Sequence, residues 1–241
     1  RWRQTNIERW DAGEIFMPAA QERPGADLSK KKDGNFFLLN AYWGKAFIKG
    51  GKRLKVYNPR LMAMWLPLLD KSKWLYLVNV HFPDGGKSKA LQDAFWRQFE
   101  MCLSKADEGD ITIIMGDFNA CMGVSTGQYD LVCGKYGVAH QNENGRRLKS
   151  FAGMNDLVDL VSWEEQIMQA TYYDIRTRTG RQLDRALIKQ KHRHFVQSCT
   201  NQSMLVDSDH EAVILSIHVE RDPSKADSVR TTRNKKDFES K

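Results

Sequence analysis

Only four cysteines and six prolines occur in the 241 residues of this chain. The cysteines (Cys102, Cys121, Cys133 and Cys199) are scattered, without paired spacing. That points away from a zinc site or a disulfide framework and toward a reducing, intracellular compartment, first of all nuclear or cytoplasmic. No apolar run approaches the roughly 18 residues of a membrane span, and no secretory signal pattern opens the chain. It starts at Arg1 rather than Met, as a fragment or a processed product would. Acidic residues are the minority sign: 30 Asp and Glu stand against 37 Lys and Arg, a net charge of +7, which suits a polyanionic partner. The length and the 41% hydrophobic fraction suit one large α/β domain with a substantial core. No internal repeat and no second domain are visible.

The stretch Ile111-Thr112-Ile113-Ile114-Met115-Gly116-Asp117-Phe118-Asn119 organises what is present. Its first four residues are β-branched, as in a strand covered on both faces. Gly116 permits a close turn, and Asp117 and Asn119 project from the strand's C-terminal end, where open α/β sheets place ligands. A carboxylate and a carboxamide two residues apart can hold a water, a hard cation or a phosphate oxygen, although Gly-Asp-x-Asn also occurs in plain turns. Two further polar groups stand at strand ends. Asp184 interrupts the apolar run Gln182 to Ile188, where a carboxylate is costly unless it is paired. Ser208-Asp209-His210 precedes the apolar run at Val213. A His is the natural partner for Asp184, because a carboxylate accepting an imidazole N–H fixes the tautomer and favours the charged form.

Along the chain, Trp2, Ile7 and Trp10 could line one helix face, with Pro18 and Pro24 breaking the pattern soon after. Phe36–Asn40, Ala46–Ile48, Leu54–Tyr57, Leu61–Leu66 and Trp74–Val80 read as short strands of an antiparallel meander, the last running into His81. Ser88 to Ala106 is the clearest helix, with an apolar stripe through Leu91, Phe95, Phe99 and Cys102. The loop from Gly123 to Gly137 is a candidate substrate-facing surface. A helix begins at Asn144, its Arg146, Arg147 and Lys149 read as facing phosphates or, in first place, solvent. A second set of strands covers Leu157–Val161, Ala170–Tyr173, Leu183–Ile188, His194–Ser198 and Val213–Val219. Two groups of short strands flanking the helix from Ser88 predict a two-sheet α/β sandwich with helices on both outer faces, and the strands of Asp117 and Asp184 central. Residues 1–219 form this domain, and 220–241 read as a mobile basic tail.

Gly116-Asp117-Phe118-Asn119, Gln182-Leu183-Asp184 and Ser208-Asp209-His210 resemble the GDFN, QxD and SDH signatures of the endonuclease/exonuclease/phosphatase superfamily. The similarity is greatest to AP-endonuclease-like domains of non-LTR retroelements and their domesticated host relatives, from about Phe47 to Val219. The resemblance implies a DNase I-like fold and metal-dependent phosphodiester hydrolysis on DNA or RNA. It implies catalytic roles for Asp117 (proton acceptor), Asn119 (orienting water or phosphate), Asp184, His210 and His81 (at the phosphate). It also implies Mg²⁺ or Mn²⁺ held by Asp209 and by Glu22, the latter in a segment similar to the family's Leu-Gln-Glu-Thr. Two positions depart from the pattern. The family's opening strand, with its Asn or Asp well ahead of the Glu, has no counterpart here, and Arg185 replaces the aromatic residue that follows the Asp of QxD, a charge that reads as a substrate contact or as a sign that the site has drifted. The runner-up expectation is therefore a catalytically degenerate member serving a larger protein or ribonucleoprotein assembly. A phosphatase acting on inositol phosphates is disfavoured by the loops and by the charge.

Overall fold

A computed structural model describes residues 6–10, 13–17, 35–51, 53–68, 73–125, 127, 130–166, 169–174, 176–203 and 208–219. Glu22, Lys30–Lys32 and the tail from 220 lie outside these residues.

At the centre is a six-stranded sheet. It is built from β4 (Leu54–Asn58), β5 (Leu61–Pro67), β6 (Trp74–His81), β7 (Ile111–Asp117), β8 (Leu157–Asp159) and β11 (Asp184–Lys189). The spatial order is β4-β5-β6-β7-β11-β8. Every neighbouring pair is antiparallel except β6 and β7, which run parallel. A parallel pair needs a crossover, and helix α2 (Lys89–Leu103) supplies it. The Ser88 side chain caps α2 by accepting from Leu91 N.

Period-two alternation sends the strands' side chains to two cores. On one face, Ala63, Trp65, Tyr76, Val78, Val80, Ile114 and Leu187 meet Phe95, Trp96, Phe99 and Cys102 of α2, together with Leu148, Phe151 and Ala152 of α3 (Glu143–Met154). On the other, Met64, Leu66, Leu75, Ile113, Ala186 and Ile188 meet a second layer. That layer includes the hairpin of β12 (Val196–Gln202) and β13 (Ala212–Ile217). Beside it lies β3 (Phe37–Asn40), paired with β2 (Gly13–Met17), which pairs with β1 (Asn6–Trp10). Helix α1 (Ala41–Lys49) inserts Phe47 into the same core. The result is the expected two-layer α/β sandwich, with helices flanking both faces of the central sheet and β7 and β11 in its interior. A small hairpin of β9 (Tyr172–Asp174) and β10 (Thr179–Arg181) forms a separate two-stranded sheet.

Several boundaries differ from expectation. Ala46–Ile48 belongs to α1, not to a strand. Asn40 accepts from Trp43 N as an N-cap, and the buried Gly44 and Phe47 are spaced for a helix face. Ile7 and Trp10 sit in β1, not in a helix, because residues 6–10 and 13–17 pair as strands. His194 is in a 3₁₀ turn ahead of β12. The loop after Gly123 is partly core: Val132 and Cys133 are buried, and Asp159 N donates to Val132 O.

Candidate active site

Three strand ends set the site in a row. Asp117, last in β7, is in register with His81, last in β6, and with Asp184, first in β11. Beneath the row, aromatic packing anchors both β6 and β7. Phe82 follows His81 and stacks on Phe118 at 5.2 Å, while contacting Phe95, Trp96 and Phe99 at 4.6–5.1 Å between centroids. Burying each such ring contributes about 1.5–3 kcal/mol. The aromatic knot therefore seats the two polar neighbours, His81 and Asp117, at the ends of two interior strands.

The turn after β7 is tightly determined. Gly116 has φ +138°, and a Cβ there would lie 2.0 Å from Val80 O, so only glycine fits. Asn119 takes the left-handed conformation at φ +47°, which costs energy that the surroundings must supply. Its N–H donates to Asp117 Oδ1 at 2.8 Å, and its Nδ2 donates to Phe82 O at 2.8 Å and Asp117 Oδ2 at 3.3 Å. Asn142 and Asn144 both donate their Nδ2 to Asn119 O at 3.2 Å. Burial, then the neighbouring charge of Asp184, pushes the Asp117 carboxyl up to about 6. His81 Nε2 stands 3.8 Å from Asp117 Oδ2.

Asp184 is fixed through its main chain. Thr171 Oγ1 accepts from both Leu183 N and Asp184 N at 2.9 Å. Thr171 O also accepts from Glu211 N, and Asp209 O accepts from Tyr173 N, which brings the Ser208–His210 segment alongside. His210 Nδ1 donates to Asp184 Oδ2 at 2.8 Å, so the expected pairing is present. That hydrogen bond raises the His210 pKa above its ordinary 6.5. Tyr172 packs on the imidazole at 5.0 Å.

Asp117, Asn119, Asp184, His210 and His81 thus meet at one end of the sheet. Asp209 is exposed beside His210, and Glu22 lies outside the described residues. Asp117 and Asp209 offer the hard oxygen atoms that Mg²⁺ accepts. Among the described residues, however, no three His, Cys, Asp or Glu side chains gather to hold a metal. By themselves these residues do not make up a complete metal cage.

Other expectations are corrected. Arg185, read as a substrate contact or a sign of drift, is completely buried and ion-paired with Asp159. Arg146 and Arg147 are exposed as expected, Arg147 also pairing with Asp93 at 2.6 Å over the face of Trp96, whereas Lys149 is half-buried and pairs with Asp130 at 2.5 Å. The residues missed were Thr171, Tyr172, Asn142 and Asn144. For the last two a signal existed: Asn-x-Asn-Gly before an apolar stripe is N-cap chemistry, and Asn142 caps α3 through Gly145 N.

No protein-family profile matches the chain. It is 30% identical to craniofacial development protein 2 of Tragulus javanicus over 191 residues, which is 77% of this chain and 32% of that protein. The Bos taurus protein of that name is 28% identical over the same share of this chain and 31% of its own length. The chain therefore spans about a third of the curated relatives it matches. Similar solved structures include the endonuclease domain of TRAS1, a telomere-specific non-LTR retrotransposon (TM-score 0.49, 15% identity, 70% of this chain and 68% of that one). The AP endonuclease LMAP of Leishmania major is another (0.49, 16%, 68% and 56%), as is an AP endonuclease of Archaeoglobus fulgidus (0.46, 18%, 67% and 66%). With GDFN closing β7, QxD opening β11 and SDH brought against them, the three motifs that resemble those of the endonuclease/exonuclease/phosphatase superfamily lie together at one end of the central sheet.

Proposed function

We propose that the chain hydrolyses phosphodiester bonds of nucleic acid, as an endonuclease on DNA or RNA. The observation that carries the reading is the convergence of Asp117 with the Asp184–His210 pair. The two groups have complementary proton affinities. A carboxyl held near 6 is ionised at neutral pH yet basic enough to take a proton from water. An imidazole held charged by Asp184 can donate to a non-bridging phosphate oxygen as negative charge builds there. Water's oxygen forms the new bond to phosphorus, its proton passes to Asp117, and the bond to the leaving sugar oxygen breaks, that oxygen taking a proton from solvent as it departs. Asn119 orients the water or a phosphate oxygen and holds the carboxylate of Asp117 in place, while His81 contacts the phosphate. A divalent cation, Mg²⁺ or Mn²⁺, would neutralise phosphate charge, with Asp209 and Glu22 its proposed ligands. The net charge of +7 supports a polyanionic substrate.

A second reading, a nucleic-acid-binding or interaction subunit without turnover, draws on the exposed position of Asp209 and the incomplete set of ligands among the described residues. Incubating the chain with plasmid and with labelled oligonucleotides in Mg²⁺, then with EDTA, separates the two. Cleavage that EDTA stops and Asp117→Ala abolishes supports the enzyme. Binding without cleavage at any cation concentration supports the second reading.

A further inference from the structure

Arg185 directly follows Asp184, where the family that the motifs resemble carries an aromatic residue, and its side chain is completely buried. A buried guanidinium must satisfy its donors, and the partners it has found are specific. Nε donates to Ala120 O at 3.0 Å, one residue beyond Asn119. One terminal nitrogen donates to Gln182 O at 2.9 Å, two residues before Asp184. The other pairs with the Asp159 carboxylate on β8 and reaches Gln182 Oε1 at 3.4 Å. Asp159 is itself completely buried and stands opposite Leu187 in the β8–β11 pair. One planar group thus ties the segment leaving β7 to the segment entering β11.

We propose that Arg185 is a positioning residue that sets the Asn119–Ala120 turn and Asp184 relative to each other, and through them the geometry of Asp117. The inference rests on the hydrolytic reading of the site. Two other observations support it. Asn119 is held at φ +47°, a conformation that persists only where neighbours over-determine it. Ala120, whose carbonyl Arg185 grips, is the next residue. The same core also admits no slack at Gly137, where a Cβ would lie 2.6 Å from the Gln182 side chain.

Arg185→Lys keeps the charge beside Asp159 but cannot reach three acceptors in one plane. Its expected effect is a fall in kcat of about 100-fold, as for a small misplacement of catalytic groups, with KM for the nucleic acid unchanged because nothing at the surface has altered. Arg185→Met combined with Asp159→Leu removes both buried charges, a replacement that folds often tolerate. The low kcat should persist in it while thermal stability recovers. A purely structural role would instead restore kcat together with stability, and that result overturns the proposal. A second readout does not depend on turnover. The Asn119 amide, bonded to Asp117, reports that carboxyl's titration by NMR, and its midpoint should move in both variants. If the wild type cleaves nothing, the hydrolytic reading falls by itself, and unchanged Asn119 and His210 titrations in Arg185→Lys would overturn the positioning role. If the double variant does not fold, Arg185→Lys decides by the same two readouts.

Discussion

His210 Nδ1 sits 2.8 Å from Asp184 Oδ2, and Asp184 stands directly opposite Asp117 in the β7–β11 register. One carboxylate therefore acts on two neighbours with opposite results. It favours the charged imidazole, and it disfavours the charge on Asp117. Both effects would serve a proton-transfer pair: the imidazole holds its proton more firmly, and the carboxylate of Asp117 becomes more basic.

Removing that charge while keeping its shape should weaken both partners. In Asp184→Asn the carboxamide oxygen can still accept from Nδ1, so the fold should hold. The pKa values of His210 and Asp117 should both fall, and kcat should drop by about 100- to 1,000-fold, the range of general acid–base catalysis. NMR titration of the His210 ring alongside turnover checks this. Loss of the fold, with surviving molecules fully active, would assign Asp184 a structural role.

The pH profile should be bell-shaped. Asp117 must be ionised to accept a proton, so activity rises through about pH 6. His210 must be charged to donate, so activity declines only above its raised pKa, which lies above 6.5. The two limbs belong to a coupled set and shift together. In Asp184→Asn the alkaline limb should move toward lower pH. A profile that keeps rising into alkaline solution would remove His210⁺ from the mechanism.

Much of this site was legible because its chemistry is local to strand ends. Asp117, Asn119 and Asp184 each stand where an apolar strand gives way to polar residues, and an Asp inside an apolar run demands a partner. His210 was the nearest chemical match, and the structure pairs them. Arg185 was misread because a buried ion pair with Asp159 joins β8 and β11, residues 26 apart, and leaves no local trace. Ala46–Ile48 was misread for the opposite reason: three apolar residues fit a strand or a helix, and the Asn40 cap that decides between them lies outside the run. The segment around Ile7 and Trp10 shows the same ambiguity, resolved only by pairing between residues 6–10 and 13–17.

Asp117 should also expose a conflict between stability and function. Its folded carboxyl titrates near 6, above the unfolded 3.8, so ionising it disfavours the fold. Wild-type stability should therefore fall as pH rises from about 4 to above 6, by roughly 1–3 kcal/mol from this group. The Asp184–His210 pair adds to the trend: its contribution is full below pH 6.5 and is lost as pH rises through the raised His210 pKa. Asp117→Asn removes the first part. Urea unfolding should show the variant more stable than wild type at pH 8 and equal to it near pH 3, with cleavage abolished. Equal stability at both pH values would mean that Asp117 is solvated well enough to ionise without cost, and the argument for a raised pKa would fail.

The final expectation separates binding from cleavage in the isolated chain. Binding draws on the net charge of +7, so affinity for duplex DNA or for RNA should fall steeply between about 50 and 200 mM salt, as Lys and Arg displace condensed counterions. On the proposed hydrolytic reading, cleavage would also draw on a cation held close to the phosphate. Here the Asp117 carboxylate already accepts from Asn119 and the Asp184 carboxylate from His210, which leaves the exposed Asp209 as the main hard donor among the described site residues. Mg²⁺ sheds its water reluctantly even in complete sites, so cation affinity should be weak and turnover slow. Fluorescence anisotropy and gel assays at constant ionic strength test both halves. EDTA should stop cleavage and leave binding intact, and cleavage should keep rising across a Mg²⁺ titration without early saturation. Rapid turnover at trace Mg²⁺, abolished by Asp117→Ala, would show a tight cation site completed by residues such as Glu22. Failure to bind either nucleic acid even at low salt would shift the reading to a protein-interaction module.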